Sequence, residues 1–415
     1  MREMKPSSME WVGDIPASWK VMPNKYLMHK KKEICPVYNG EDILSLTMKG
    51  VIVRDLDAGG KMPASFDGYQ RLEPGNLLMC LFDIDVTPRC IGLIKQAGLS
   101  SPAYSQFVLC DDANAAYYCY YYTMLDNDKT LLHLAKNLRH SLTEDQLGAI
   151  PVIVPPTDEQ HRIADFLDAK CAEIDALTTD IQTQIDTLEQ YKRSVITETV
   201  TKGLNPNSEM KDSGVFYMAP MNATWRLTKI GYICSKLSRS FAPEDTALIC
   251  SNKGKVQVRA DDLTGIMVSD DNAMQGIRSG DIAIHGMDTW HGAIALSEYD
   301  GKITRVVHVC DSTEDKRFIV YYMQHLAFQG VYKLISNGVR GNTSDFRSWD
   351  KVRDIWIAIP ETKEEQAAIC DYLDSQCTAV EEVIATKKEQ LEVLGEYKKS
   401  LIFEYVTGKK EVPVS

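Results

Sequence analysis

Apolar side chains recur every seven residues along two stretches of this chain. In the first they are Leu167, Ile174, Ile181, Leu188 and Val195, with Ile163, Leu177, Ile185 and Tyr191 filling the neighbouring stripe. In the second they are Leu373, Val380, Leu394 and Leu401, flanked by Ile369, Val383, Leu391 and Tyr397. A seven-residue apolar repeat holds one seam against a partner helix, so each stretch predicts a long coiled-coil helix. No Pro or Gly interrupts 159–202, and only Gly395 interrupts the second stretch before Gly408. Thr157 and Thr362 follow Pro156 and Pro360, with acids crowding the next turn, and so predict the helix caps.

The two stretches are copies. EQHRIADFLDAKCAEID at 159–175 answers EQAAICDYLDSQCTAVE at 365–381, and LEQYKRSVITETVTKG at 188–203 answers LGEYKKSLIFEYVTGK at 394–409, at a constant offset of 206. Between Glu159 and Thr201, 16 of 43 positions are identical, which unrelated amphipathic helices would not give. The identities include polar pairs such as Gln160/Gln366, Asp168/Asp374 and Ser194/Ser400. The chain is therefore a tandem of two similar halves, and the simplest partner for each helix is the other.

Ahead of each helix the period shortens to that of strands. Residues 1–157 show strand character at Ile43–Thr47, Gly50–Arg54, Asn76–Phe82, Ile91–Ile94 and Gln106–Cys110. Helical stretches Ala115–Asp126 and Thr130–Asn137 follow, then a closing strand Ala149–Val154. Residues 205–360 repeat the plan loosely, with strands at Thr246–Cys250, Gly280–His285, Ala293–Leu296 and Thr304–Cys310, a helix at Lys316–Phe328 and a closing strand at Asp354–Ile359. Trp225 keeps the 206 offset from Trp19, but Gly92 answers Gly292 at 200, so the middles of the globules have diverged. Mixed strands and helices in this order predict an α+β fold. The expected division is 1–157 globule, 158–204 helix, 205–360 globule and 361–415 helix.

At 415 residues the chain exceeds one hydrophobic core, in line with at least two domains. No apolar run approaches a membrane span, and the polar opening MREMKPSSMEW is no signal peptide. Eleven scattered cysteines without a Cys-x-x-Cys pair predict reduced thiols and a cytoplasmic location. The net charge of −12 speaks against nucleic acid until it is located. Residues 158–204 and 361–411 each carry −5, leaving 36 acids against 34 bases elsewhere. The acid sits on the helices, and the globules are free to carry local basic faces.

Five segments now give the order a family likeness. WVGDIPASWKV at 11–21 has a weaker second copy, DSGVFYMAPMNATW at 212–225, with Tyr217 at the position of Trp11. IPVIVPPTDEQ and IWIAIPETKEEQ lead into the two helices, and HGAIALSEYDGKIT lies at 291–304. In this order the chain resembles, over its whole length, the specificity (S) subunit of type I restriction–modification systems. The resemblance implies two globular target recognition domains separated by two long helices forming an antiparallel coiled coil, a pseudo-two-fold tandem repeat. Each domain would read one half of a bipartite, asymmetric site in double-stranded DNA. The helices would dock two methyltransferase (modification) subunits, and restriction subunits would join them. Methylation and cleavage would reside in those partners, with S-adenosylmethionine, ATP and Mg expected only there. An arm of about 41 helical residues at ~1.5 Å each is roughly 60 Å long, enough to serve two major-groove faces ~34–36 Å apart.

Base reading needs Arg or Lys for guanine and Asn or Gln for adenine, held at groove edges. In the first globule the candidates are Thr47, Lys49, Arg89, Asn137, Arg139 and His140, with Lys61 and Lys95 beside them. In the second they are Asn252, Lys253, Lys255, His291, Asn337, Arg340, Asn342, Thr343 and Arg347, with Trp290. SNGVRGNTSDFR is the richest segment, its glycines allowing close backbone approach to a phosphate. Lys30–Lys32 reads as a solvated helix face, and Asp83 with Asp85 as structural. The sequence holds no Asn/Asp-Pro-Pro-aromatic methylation motif, no nucleotide-binding glycine loop and no His-Glu-x-x-His. An enzyme is therefore the weakest reading. A coiled-coil protein-binding adaptor without DNA specificity is the alternative to a DNA reader.

Overall fold

Strands β1 (Met4–Pro6) and β2 (Asp14–Pro16) open the chain as an antiparallel pair, tied by Lys5, whose ammonium donates to the Ala17 carbonyl at 2.7 Å. The computed structural model describes residues 2–57, 63–135, 140–259, 271–336 and 345–413. They form two compact units: Met1–Ile181 with Lys388–Ser415, and Gln182–Lys387.

In unit 1 come β3 (Lys20–Pro23), β4 (Met28–Lys31), the hairpin β5 (Leu44–Thr47) and β6 (Gly50–Val53), β7 (Gln70–Leu72), β8 (Leu77–Met79), β9 (Ile91–Leu93), β10 (Gly98–Ser100) and β11 (Ser105–Leu109). Helices α1 (Ala115–Asn127), α2 (Thr130–Leu134) and α3 (Glu144–Ala149), strand β12 (Pro151–Val154) and the long helix α4 (Thr157–Lys202) follow. The main sheet is antiparallel in the order β4-β11-β8-β9; β12 pairs with β3 and β10 with β7. A parallel bridge, Ile43 to Leu99, joins the β5–β6 hairpin to β10. Lys30 and Lys31 lie on strand β4, not on a helix face, because Lys30 pairs with Phe107 across the sheet.

Unit 2 repeats this order. Its elements are β13 (Met210–Lys211), β14 (Met221–Asn222), β15 (Arg226–Lys229), α5 (Ile230–Ile233), β16 (Cys234–Lys236), β17 (Ala247–Ser251), β18 (Lys255–Val258), β19 (Met274–Ile277), β20 (Ile282–His285), β21 (Ile294–Leu296), β22 (Gly301–Thr304) and β23 (Val307–Ser312). Then come α6 (Lys316–Phe328), α7 (Val331–Ile335), α8 (Trp349–Arg353), β24 (Trp356–Ile359) and α9 (Lys363–Val406). The order β16-β23-β20-β21 matches β4-β11-β8-β9, and β17 runs parallel to β22 as Ile43 does to Leu99. The middles that diverged in sequence have thus kept their topology. Backbone pairing tolerates side-chain change wherever the buried face stays apolar.

The polar residues shared by the two helices have matching tasks. Gln160 is buried, accepts from the Asn114 amide at 2.8 Å and donates to the Pro155 carbonyl at 2.9 Å. Gln366 does the same with Asp315 at 2.9 Å and Pro360 at 3.1 Å. They thereby fix the caps of α1 and α6, where Asn114 and Asp315 accept from the first-turn amides. Asp168 accepts the Tyr120 hydroxyl at 2.7 Å, and Asp374 the Tyr321 hydroxyl at 2.6 Å. Thr362 accepts from the Glu365 amide and caps α9, as expected. Thr157 does not cap α4: its hydroxyl donates to Asp112, and the Pro156 carbonyl takes the Glu159 and Gln160 amides instead.

Each long helix gives half its length to each unit. In unit 1, Ile163, Leu167 and Ile174 of α4 enter one core with Leu401, Ile402 and Tyr405 of α9. There the helices run antiparallel, with the Phe166 and Tyr405 rings 4.4 Å apart and Asp175 paired to Lys398 at 2.6 Å. In unit 2, Ile196 and Val200 share a core with Ile369, Leu373 and Cys377, and Lys192 pairs with Glu381 at 2.6 Å. The second ion pair is the first displaced by the repeat. Val380 is buried, while Ile181, Leu188 and Leu394 are half-buried. Tyr191 and Tyr397, expected in the seam, are instead 51% and 54% exposed, as are Leu177 and Val383 at 52% and 45%. A straight helix turns every 3.6 residues, so a strict heptad stripe drifts off its seam by about 20° per heptad, and these rim positions leave it.

Candidate nucleic-acid interface

In each unit a hairpin tip overhangs a cleft floored by the long helices. In unit 1 the cleft holds about 570 Å³ and is lined by the β5–β6 tip, β9, α1 and α4, among them Lys49, Arg89 and Lys95. In unit 2 the matching cleft of about 520 Å³ is lined by the β17–β18 tip, α6 and the helices, among them Lys253, Lys255 and Lys192. A neighbouring hollow of about 410 Å³ gathers Asn252, Lys253, Trp290 and His291 beside Lys192 and Arg193 of α4. The expected second-globule cluster is thus brought together in part.

The hairpin tips owe their shape to a shared hydroxyl latch. Thr47 donates to the Gly50 carbonyl at 3.0 Å and accepts from the Lys49 amide at 3.1 Å, so it is a turn former. Ser251 donates to the Lys255 carbonyl at 3.0 Å in the same way. Between the latches, unit 1 presents Met48 and Lys49, while unit 2 presents Asn252, Lys253 and Gly254. Lys49, Asn252 and Lys253 are exposed, and so are Lys95, His291 and Arg347. Their ammonium, guanidinium, amide and imidazole groups can face a phosphate or a base edge.

Two expected readers have their charge held elsewhere. Arg89 donates to Asp126 at 3.2 Å and to the Asn127 amide oxygen at 3.0 Å, its side chain only 16% exposed. Asp126 is buried and also takes the Cys90 amide and Lys129, so it requires that cation. Lys255 pairs with Glu381 at 2.7 Å. That hydrogen bond raises the Lys255 pKa. Burial works to raise the Glu381 carboxyl, but Lys192 and Lys255 outweigh it and the pKa is lowered.

His140 has a positive φ of 46° and lies 2.9 Å from Asp85, whose carboxyl is lowered by that hydrogen bond. The Asp83 carbonyl meanwhile takes the Thr87 hydroxyl and amide, a turn-building role. Lys61, Asn137, Arg139, Asn337, Arg340, Asn342 and Thr343 lie outside the described residues.

All eleven cysteines are free, and burial pushes Cys119 and Cys234 up to about 11 and Cys90 and Cys250 up to about 12, which makes them poor nucleophiles. Among the described residues no three His, Cys, Asp or Glu gather as a metal site, and no helix is long and apolar enough to cross a membrane.

Comparison with known proteins bears on this architecture. No curated protein sequence matches the chain. Among solved structures, one described under complex assembly and conformational transition of the type I R-M system superposes with a TM-score of 0.68 at 14% identity, over 95% of this chain and 99% of that one. The crystal structure of the HsdS subunit from Thermoanaerobacter tengcongensis gives 0.47 at 13% identity, over 95% of this chain and 98% of that one. The type I restriction-modification S subunit from M. genitalium gives 0.40 at 12% identity, over 94% and 96%. The first of these shares the fold. Residues 103–187, which run from β11 through α1 into α4, match the family model described as the type I restriction modification DNA specificity domain.

Proposed function

We propose that this chain is the DNA sequence-specificity subunit of a type I restriction–modification complex, each globule reading one half of a bipartite, asymmetric site. The observation that carries the reading is a duplication of fold without duplication of loops. Two units share one strand order and one latched hairpin, yet their tips differ in length and chemistry, Met48-Lys49 against Asn252-Lys253-Gly254. Identical scaffolds with unlike tips suit two unlike half-sites. The specificity-domain match over 103–187 supports the same reading.

The helices then serve assembly. In unit 1 Leu177 and Tyr397 are exposed on them, and in unit 2 the repeat-related Val383 and Tyr191. We assign these pairs to two modification subunits, through which restriction subunits join. Methyl transfer and cleavage take place in those partners, with their own S-adenosylmethionine, ATP and Mg, in the cytoplasm.

The test is to reconstitute the chain with its modification subunits and titrate duplex DNA at several salt concentrations, then sequence the methylated adenines. A specificity subunit gives one bipartite methylated motif and affinity that falls steeply with salt. Equal binding to every duplex, or none, sinks the reading in favour of a protein adaptor.

A further inference from the structure

The two hairpins share their latch but not their mooring. In unit 2, Glu381 of α9 uses one carboxylate oxygen for Lys192 of α4, at 2.6 Å, and the other for Lys255 of β18, at 2.7 Å. In unit 1 the repeat-related Asp175 pairs with Lys398 at 2.6 Å, its one ion pair among the described residues. The latches fix the correspondence: Ser251 donates to the Lys255 carbonyl where Thr47 donates to that of Gly50. Where unit 2 carries the mooring cation, unit 1 carries a glycine. Among the described residues no cation of the β5–β6 hairpin pairs with the shorter Asp175.

We propose that Glu381 is a positioning residue for base reading by unit 2, holding the β17–β18 tip through Lys255 while it ties the helices through Lys192. The proposal rests on the reading of unit 2 as a DNA reader. Asn252 and Lys253 lie three and two residues from the moored Lys255, and an amide or ammonium must be fixed within a fraction of an ångström to discriminate base edges. Lys255 accordingly acts through its mooring rather than on a base. Because Glu381 belongs to the helix that also carries Val383, a partner seated there bears directly on the hairpin's anchor. Among the described residues unit 1 shows no such link, and its tip carries the Thr47 latch.

The test uses the full chain with its modification subunits and the variants Glu381→Gln, Lys255→Gln and Asp175→Asn. Hydrogen exchange of amides in 247–258 should quicken about two- to fivefold in the first two, the loss expected for one partly exposed ion pair. Asp175→Asn should leave the exchange of the β5–β6 amides unchanged. In methylated-site sequencing, Glu381→Gln and Lys255→Gln should raise methylation of sites mismatched in one half about two- to fivefold, with the other half read as before. Unaltered exchange in Glu381→Gln overturns the mooring, whatever the chain binds, because that measurement involves no DNA. Faster exchange with both halves read unchanged, or both loosened equally, overturns the positioning role.

Discussion

Trp19 donates its indole N–H to Glu159 at 2.8 Å, and Trp225 repeats this with Glu365 at 2.9 Å. Each ring is buried, so each binds the start of one long helix through a carboxylate. The benzene edge of each ring meets the end of the other helix: Gly408 lies against Trp19 and Gly203 against Trp225. Arg2 completes the first clasp, 2.6 Å from Glu159. Trp19→Phe removes the donor and leaves a half-buried carboxylate with one hydrogen bond fewer. It should cost about 1–3 kcal/mol in urea unfolding, as should Trp225→Phe.

The two glycines separate strain from crowding. Both have positive φ, 86° at Gly203 and 71° at Gly408. A Cβ on Gly203 would lie 3.4 Å from Trp225, but on Gly408 it would lie 2.6 Å from Pro16 and 2.8 Å from Trp19. Gly203→Ala should therefore cost about 1–2 kcal/mol from backbone conformation alone. Gly408→Ala should cost about 1–3 kcal/mol more, because ring and pyrrolidine must move. Thermal melts of the two variants check the order.

Burial distinguishes the helix positions. Leu167→Ala and Leu373→Ala, both fully enclosed, should each cost about 2–5 kcal/mol in denaturant titrations. Tyr191→Ala and Tyr397→Ala, each half exposed, should change stability by less than about 1 kcal/mol. On the proposed function, the tyrosine pair should instead weaken association with modification subunits about tenfold or more, measured by calorimetry.

His325 gives a pH signature. It is buried, with Nδ1 3.1 Å from the Thr197 hydroxyl, and burial lowers its pKa to about 4. The unfolded chain binds a proton near the ordinary value of 6.5, so the folded state loses ground as pH falls from there toward 4. The stability gap between wild type and His325→Gln should shrink by about 3 kcal/mol from pH 7 to pH 4. A gap that stays constant across that range contradicts the neutral buried imidazole.

Long periodic elements were legible in the sequence because many residues vote for each. The heptads placed α4 and α9, and strand-like runs bounded by turn residues placed β5, β11, β17 and β21 within a residue or two. The short strands β7, β10, β19 and β22 were not foreseen. Each has three or four residues, and Gln70, Gly98, Gly276 and Gly301 give no strand signal of their own. Among candidate readers, Arg89 and Lys255 looked free because their carboxylates are 37 and 126 positions away. Local composition shows which cations exist, while only the fold shows which are already neutralised.

Unit 2 is one unbroken length of chain, whereas unit 1 is completed by residues that come after it. Leu401, Ile402, Tyr405 and Val406 fill a core whose other walls are translated before residue 182. During synthesis at about 5–20 residues per second, those walls stand open for roughly 10–40 s while the intervening segment is made. The nascent chain thus finishes its second-born unit first, and its oldest hydrophobic surface waits longest for shelter.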